Sequence, residues 1–342
     1  MMPFLIEPMG LLHGAVARDA VRQRMALPLQ GGGSAFSLVR LIGEPEEPLL
    51  PVAQVPERWQ PALRQVTRPP APAGLPDGSL VMGILNVTPD SFSDGGLHLH
   101  VPDAVTAGLR MIEAGAAILD IGGESTRPDA APVDPAAERA RILPVLAGLR
   151  GKGALISIDT RNGSTMRAAL DAGANLINDV SGLSHDPAAA GVLSAYGCPV
   201  VLMHMRGTPA TMAGLARYGD VAVEVLGELE ARIVWAMDAG IDRSRLVVDP
   251  GIGFAKDAAQ NLELLRRLPV LANLGCRVLL GTSRKRFIGQ TASAAGVAGA
   301  ADRGPGTIVS SLPGLALPGC ILRVHDVPAM VQALRVWQGV QG

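Results

Sequence analysis

Chemically capable residues in this chain recur immediately after short apolar runs. The run Leu80–Leu85 is followed by Asn86, Thr88, Asp90, Ser91, Phe92, Ser93 and Asp94, a stretch rich in oxygen donors that closes on Gly95 and Gly96. Ala117–Ile121 leads into Glu124, Ser125, Thr126, Arg127 and Pro128, and Leu155–Ile158 into Asp159, Thr160 and Arg161. Leu176–Asn178 carries Asn178 and Asp179 at its end, and Val200–Met203 leads to His204 and Arg206. The last three runs are Leu246–Val248 before Asp249, Val278–Leu280 before Ser283, Arg284, Lys285 and Arg286, and Ile321–Val324, in which Arg323 precedes His325 and Asp326.

Taken singly, these residues have plain structural uses. An Asp or Asn before a helix usually caps it, so Asp179 and Asp326 read as caps or scaffold groups. A histidine between two methionines, as at His204, reads more readily as a hydrogen-bonded structural residue than as a ligand. Arg161, Arg206 and Arg284 fit salt bridges as well as they fit a site. Together, the set describes two subsites. Asp159, Asn178 and Asp249 offer the paired donors and acceptors that a heterocycle with amidine-like edges needs, with Lys285 converging on the same mouth. Arg323, His325 and Asn86 suit an anion.

Such residues converge only if the apolar runs are strands of one sheet. From Leu80 onward, short aliphatic runs alternate with longer stretches of helical periodicity, including Pro102–Glu113, Pro135–Leu149, Ser164–Ala172, Val221–Ala239, Ala258–Leu268 and Val327–Trp337. Repeated βα units imply a parallel sheet. Eight of them fit an α/β fold of the (β/α)8 TIM-barrel type, whose reacting groups lie at the carboxyl ends of the strands. Several helices close on Ala-Gly, at Gly115, Gly173 and Gly240, as a left-handed cap requires. The chain divides at about residue 78: 79–342 forms the barrel and 1–78 an N-terminal extension. The extension contains a strand-like run Ala35–Ile42 and a proline-rich tract, Pro69 to Pro76, that reads as a linker. It reads as a small β-rich cap or a mobile arm.

The 342 residues carry a formal net charge of −1 and only 3% aromatic residues, which argues against a nucleic-acid partner. Cys198, Cys276 and Cys320 are odd in number and far apart, so neither a disulfide framework nor a zinc site is expected, and a reducing compartment follows. Pro187–Met205 and Gly304–Leu322 lack Asp, Glu, Lys and Arg, but their internal Gly and Pro favour buried helix, turn and strand over a membrane span. The first residues lack a convincing signal peptide, and no membrane association is expected.

Two motifs are long and specific. Met82 to Gly96 resembles the first signature of the dihydropteroate synthases, the pterin-binding barrel family, and Asp120 to Pro128 resembles the second. Shorter segments follow in the family's order: Ser157 to Thr160, Ile177 to Val180, Met203 to Met205, Asp249 to Phe254, Gly281 to Lys285 and Arg323 to Asp326. The resemblance covers about residues 79–338.

The resemblance implies that Asp159, Asn178, Asp249 and Lys285 contact a pterin, with Met203 and Phe254 packing nearby. It implies that Asn86, Thr126, Arg323 and His325 hold pyrophosphate, with Ser283 among the substrate contacts and Mg2+ bridging Asn86 and phosphate oxygens. Loops carrying Asp90, Phe92, Arg127 and Pro128 would close over para-aminobenzoate. The implied reaction joins 7,8-dihydropterin-6-ylmethyl pyrophosphate to para-aminobenzoate, with Asp159, Lys285, Asp90 and Arg127 in catalytic roles. A cytoplasmic homodimer is the family's pattern. The family is a sulfonamide target, but Arg286 stands where many members carry Ser, so drug sensitivity does not carry over. Pro313 and Pro318 should shorten the penultimate helix. Two rivals share the pterin floor: a methyltetrahydrofolate-dependent methyltransferase working with a corrinoid partner, and a non-catalytic pterin-binding homologue. The long first loop and the Arg323/His325 pair favour the synthase.

Overall fold

The computed structural model describes residues 4–88, 101–124, 133–293 and 303–341. The extension begins with β1 (Leu5–His13), α1 (Gly14–Arg22), β2 (Leu27–Pro28), β3 (Ser34–Ile42) and β4 (Leu49–Pro51), followed by α2 (Gln60–Thr67). β1 pairs antiparallel with β3, Ile6 opposite Leu41 and Leu11 opposite Phe36, while β2 and β4 pair with the other edge of β3. The expected strand Ala35–Ile42 is therefore the centre of a four-stranded sheet. Ile6, Phe36, Val39 and Trp59 are wholly buried, and the Trp59 indole N–H donates to Glu44 at 3.0 Å.

The second sheet is the barrel: β5 (Leu80–Asn86), β6 (Ile118–Gly122), β7 (Leu155–Asp159), β8 (Leu176–Asp179), β9 (Val200–Met203), β10 (Leu246–Asp249), β11 (Arg277–Leu280) and β12 (Ile321–Val324). All neighbours are parallel, and β12 closes on β5 with Ile321 opposite Leu80 and Val324 opposite Gly83. Between and after the strands run α3 (Val101–Glu113), α4 (Pro135–Leu149), α5 (Gly163–Asp171), α6 (Ala189–Tyr196), α7 (Val221–Asp238), α8 (Ala258–Arg266), α9 (Arg286–Ala292), α10 (Gly304–Ser311) and α11 (Val327–Gln341). Local chemistry explains their starts: Asp134 and Asp220 accept main-chain N–H bonds at the heads of α4 and α7, and Asp257 with Gln260 forms a capping box on α8. Gly115, Gly173 and Gly240 adopt φ of 100°, 98° and 90°, as the Ala-Gly punctuation anticipates.

Proline decides two helix ends. α8 stops at Arg266, short of the expected Leu268, because Pro269 cannot donate the next helical bond; a 3-10 stretch, Leu268–Leu274, replaces the last turns and is wholly buried. α10 gives way in the same manner to a 3-10 turn at Leu312–Ala316 around Pro313.

The extension, together with α7 and the Leu312–Ala316 turn, buries Leu268–Leu274. β1 and α2 pack on it, and the Asn273 carboxamide grips the main chain of Ile6, accepting its N–H at 3.2 Å and donating to its carbonyl at 2.7 Å. Glu7, only 3% exposed, pairs with Arg267 at 2.7 Å, and Arg267 also reaches Asp220 at 2.7 Å. The proline-rich tract is no free tether. Ala73 and Leu75 pack among Leu80, Ile118, Leu176, Val247, Leu279 and Ile321, the apolar layer at the amino end of the barrel. The buried Arg277 guanidinium holds the tract there by donating to the carbonyls of Pro76, Gly78 and Gly319 at 2.8–3.0 Å.

Candidate active site

Alternation along the strands sets what faces the barrel interior. Ile118, Leu176, Val247 and Ile321 lie in the inner apolar layer, so residues two positions on, Asp120, Asn178, Asp249 and Arg323, rise on the same face toward the carboxyl end. From the sequence, most chemical residues are expected in loops after the strands. The structure instead makes Asn86, Asp159 and Asp249 the last residues of β5, β7 and β10, with Asn178 inside β8. Their main chains are fixed by the ladder: Asn86 opposite Gly122, Gly122 opposite Asp159, Asp159 opposite Asn178, and Asp249 opposite Met203.

At the centre of the floor the Arg323 guanidinium joins two carboxylates, donating from Nη2 to Asp159 at 2.7 Å and from Nε to Asp120 at 2.6 Å. The same Asp120 oxygen accepts from the Asn178 carboxamide at 2.9 Å. Asp120 is 0% exposed and Asp159 8%. Burial pushes the Asp159 carboxyl up to about 7; Arg323 opposes that rise, while Asp120, Glu138 and Asp179 add to it. Burial works against the Arg323 charge too, but Asp120 and Asp159 more than offset it and raise its pKa.

Lys285 closes another side. Its ammonium lies 4.0 Å from the Phe254 ring centre, a cation–π contact. Burial, with Arg323 nearby, lowers its pKa to about 8, although Asp249 and Asp159 pull the other way. Asp249 is raised by burial despite accepting the Gly251 N–H at 2.7 Å. Met203 and Phe254 share a small apolar cluster with Val180, Met212 and Ala255. The Ser283 hydroxyl bonds His325 Nδ1 at 2.9 Å and accepts the His325 main-chain N–H at 3.2 Å. A Cβ built on Gly122 would lie 3.8 Å from the Asn86 carboxamide oxygen and 3.7 Å from an Asp159 oxygen, so glycine there leaves open the space beside both.

The structure thus gathers Asn86, Asp159, Asn178, Met203, Asp249, Phe254, Lys285 and Arg323 around one floor, with Ser283 and His325 paired at the ends of β11 and β12. Asp90, Phe92, Thr126, Arg127 and Pro128 lie outside the described residues. Asp179 is a scaffold group, accepting from the main chain of Ser181 and Leu183, and Asp326 caps α11 through Ala329 N. Arg161 forms a largely buried pair with Glu124, and Arg206 pairs with Glu224 and Glu228.

Two residues escaped the sequence reading. Asp120 sits inside β6, not at its end; counting every second residue from Ile118 would have found it. Lys256 lies behind the floor, where its ammonium donates to the carbonyls of Gly251 and Phe254 at 3.0 Å and meets His204 Nδ1 at 2.9 Å. His204 continues to Glu228 at 3.0 Å, so it is a hydrogen-bonded structural residue. Burial brings Lys256 down to about 7 and His204 to about 4. Nothing in the spacing marks Lys256, because two of its three partners are main-chain carbonyls and the third, His204, lies 52 residues away.

Residues 82–325 match the family described as pterin binding enzyme. A dihydropteroate synthase from Mycobacterium leprae is 47% identical over 259 residues, 75% of this chain and 91% of that protein. Among solved structures, the dihydropteroate synthase of Xanthomonas albilineans with 4-aminobenzoic acid superposes with a TM-score of 0.71 at 46% identity, covering 79% of this chain and 94% of that one. The same organism's enzyme in complex with 7,8-dihydropteroate gives 0.69 at 44% identity, over 79% and 95%. With the floor of charged and amide groups in place and the match reaching from the first barrel strand to the last, the chain belongs to the dihydropteroate synthase family of pterin-binding enzymes.

Proposed function

We propose that this protein condenses 7,8-dihydropterin-6-ylmethyl pyrophosphate with para-aminobenzoate, giving 7,8-dihydropteroate and pyrophosphate for folate biosynthesis. The observation that carries the reading is the joining of a pterin-type floor, Asp159, Asn178, Asp249 and Lys285, to the cation Arg323 through one buried ion-pair cluster. A methyltransferase using the same kind of floor has no leaving phosphate for Arg323, Ser283 and His325 to meet.

In this reading the pterin edge takes its hydrogen bonds from Asp159, Asn178, Asp249 and Lys285, and its ring packs near Met203 and Phe254. Asn86, Thr126, Ser283, Arg323 and His325 hold the pyrophosphate. The bond from the pterin methylene carbon to oxygen breaks, and its electron pair leaves with pyrophosphate, whose developing charge Arg323 and His325 offset. Ionised Asp159 balances the positive charge left on the pterin. The neutral amine of para-aminobenzoate then forms the C–N bond and gives up a proton, with Asp90, Phe92, Arg127 and Pro128 closing over it to exclude water. No enzyme nucleophile is required: burial pushes the Cys198 and Cys276 thiols up to about 11 and Cys320 to about 12, as suits packing residues.

Magnesium fits the residues present. The Asn86 carboxamide oxygen is a hard donor beside the space kept by Gly122, and an ion that arrives with phosphate oxygens and keeps its waters needs few protein ligands. When bound, Mg2+ supplies positive charge to the leaving group. We assign the protein to the cytoplasm, in keeping with three unpaired buried cysteines and, among the described residues, no helix long and apolar enough to cross a membrane. A homodimer through late barrel helices is supported by Val309 on α10 and Val336 and Val340 on α11, all exposed.

The test is pyrophosphate release and dihydropteroate formation by the purified protein with both substrates and Mg2+. Coupled appearance of the two products is expected. Binding of pterin without either product would put the non-catalytic reading first.

A further inference from the structure

We propose that Asp120 is a positioning residue: it anchors Arg323 by its Nε so that the Nη2 end can pass between Asp159 and the phosphates of the substrate. The inference rests on the synthase reading and adds a residue to it.

Asp120 is an unusual choice for the middle of a barrel strand. It is wholly buried, and one of its oxygens, Oδ1, is buried with no hydrogen-bond partner. A carboxylate in that position is costly unless its charge is used. The other oxygen, Oδ2, does two jobs at once, taking Arg323 Nε at 2.6 Å and the Asn178 amide at 2.9 Å.

The division of the guanidinium between its partners gives the reason. Arg presents its five N–H groups in a fixed planar fork, so a bond at Nε sets the position of the whole head while the Nη groups stay available. Nη2 is on Asp159. Once Asp159 turns to the pterin, Arg323 must find another acceptor, and an incoming phosphate supplies it. A buried guanidinium released by its sole carboxylate would be left uncompensated during that exchange. With Asp120 holding Nε, the head stays paired throughout. Because the same oxygen holds Asn178, one carboxylate fixes a group of each subsite.

The experiment is a double-mutant cycle on the full-length protein, reading the affinity for inorganic pyrophosphate with Mg2+ by calorimetry. Asp120→Asn should weaken binding about tenfold in the native background and less than about twofold in an Arg323→Gln background, because its effect runs through Arg323. Equal losses in both backgrounds, or no loss in the first, would overturn the proposal; a merely structural role gives the former. A measurement on the native protein covers the case of a variant that fails to fold. With arginine labelled in nitrogen-15, the Arg323 Nε–H signal, assigned by its disappearance in Arg323→Lys, should stay protected from exchange when pyrophosphate saturates the protein. Loss of that protection would mean the anchor lets go. Native protein that binds no pyrophosphate at all would instead sink the synthase reading, and a protected Nε–H in the ligand-free protein would show the anchor to be real without it.

Discussion

Arg323 Nη2 lies 2.7 Å from Asp159 Oδ2, yet the Asp159 carboxyl remains raised to about 7, because burial and the neighbouring carboxylates outweigh the arginine. Lys285 on the same floor is lowered to about 8. If turnover needs ionised Asp159 and protonated Lys285, kcat/KM for the pterin substrate should be bell-shaped, falling about tenfold per unit below pH 7 and again above pH 8. Asp159→Asn should lose most turnover and with it the acidic limb. A flat profile between pH 5 and 7 (about two units below the expected limb) would remove Asp159 from that role. The sign for folding is opposite. A carboxyl raised in the folded state contributes stability that is complete below its ordinary 3.8 and is lost as pH rises through about 7. Asp159 therefore makes the fold weaker where it makes the site active.

His325→Ala should weaken pterin pyrophosphate binding about tenfold and a pterin without phosphates less than about twofold, since the residue belongs to the anion side. Equilibrium binding of the two ligands to both proteins checks this. Equal losses would move His325, with its partner Ser283, out of the anion subsite.

Lys256→Met should strip three acceptors, the Gly251 and Phe254 carbonyls and His204 Nδ1, of their donor. Each buried orphan costs about 1–3 kcal/mol, partly offset by relieving the ammonium of its burial, so a net loss of about 3 kcal/mol in chemical denaturation is expected. The loop that carries Phe254 onto Lys285 would loosen, raising KM for the pterin substrate more than it lowers kcat. An unchanged KM would make Lys256 a packing residue alone.

Asn273→Ala should leave the Ile6 N–H and carbonyl without their side-chain partner and cost about 2 kcal/mol. The site lies away from the floor, so kcat/KM in the surviving fraction should be native. Removing residues 1–68 altogether uncovers the buried stretch Leu268–Leu274, and aggregation of the shortened protein is the expected result. A soluble, cooperatively folding product would mean that the barrel covers this stretch by itself.

The barrel was legible because each strand is a short aliphatic run bounded by glycine or a polar cluster, and because α4, α7 and α8 carry capping side chains at their starts. The strand limits fell short by one residue at Asn86, Asp159, Asp179 and Asp249, since a polar residue at the end of an apolar run looks like loop until its ladder bonds are seen. The extension was read only through β3. Pro8 and Gly10 interrupt the pattern of β1, and α1 is too short for periodicity to declare it. The apolar residues on both sides of Pro269 look helical in the sequence and disguise the change to 3-10 geometry. Asp120 and Lys256 were missed for different reasons: one needs the inward face to be counted, and the other needs the loop it braces to be folded.

The grip of Asn273 on Ile6 joins residues 267 positions apart. On the ribosome the sheet of the extension is made first, but the surface that completes it is synthesised only when β11 is about to emerge. Its apolar face must therefore wait, exposed, through the making of most of the barrel. Contacts of such separation slow folding, which makes this join a candidate for the last event in assembly and the place where a chaperone has the longest time to act.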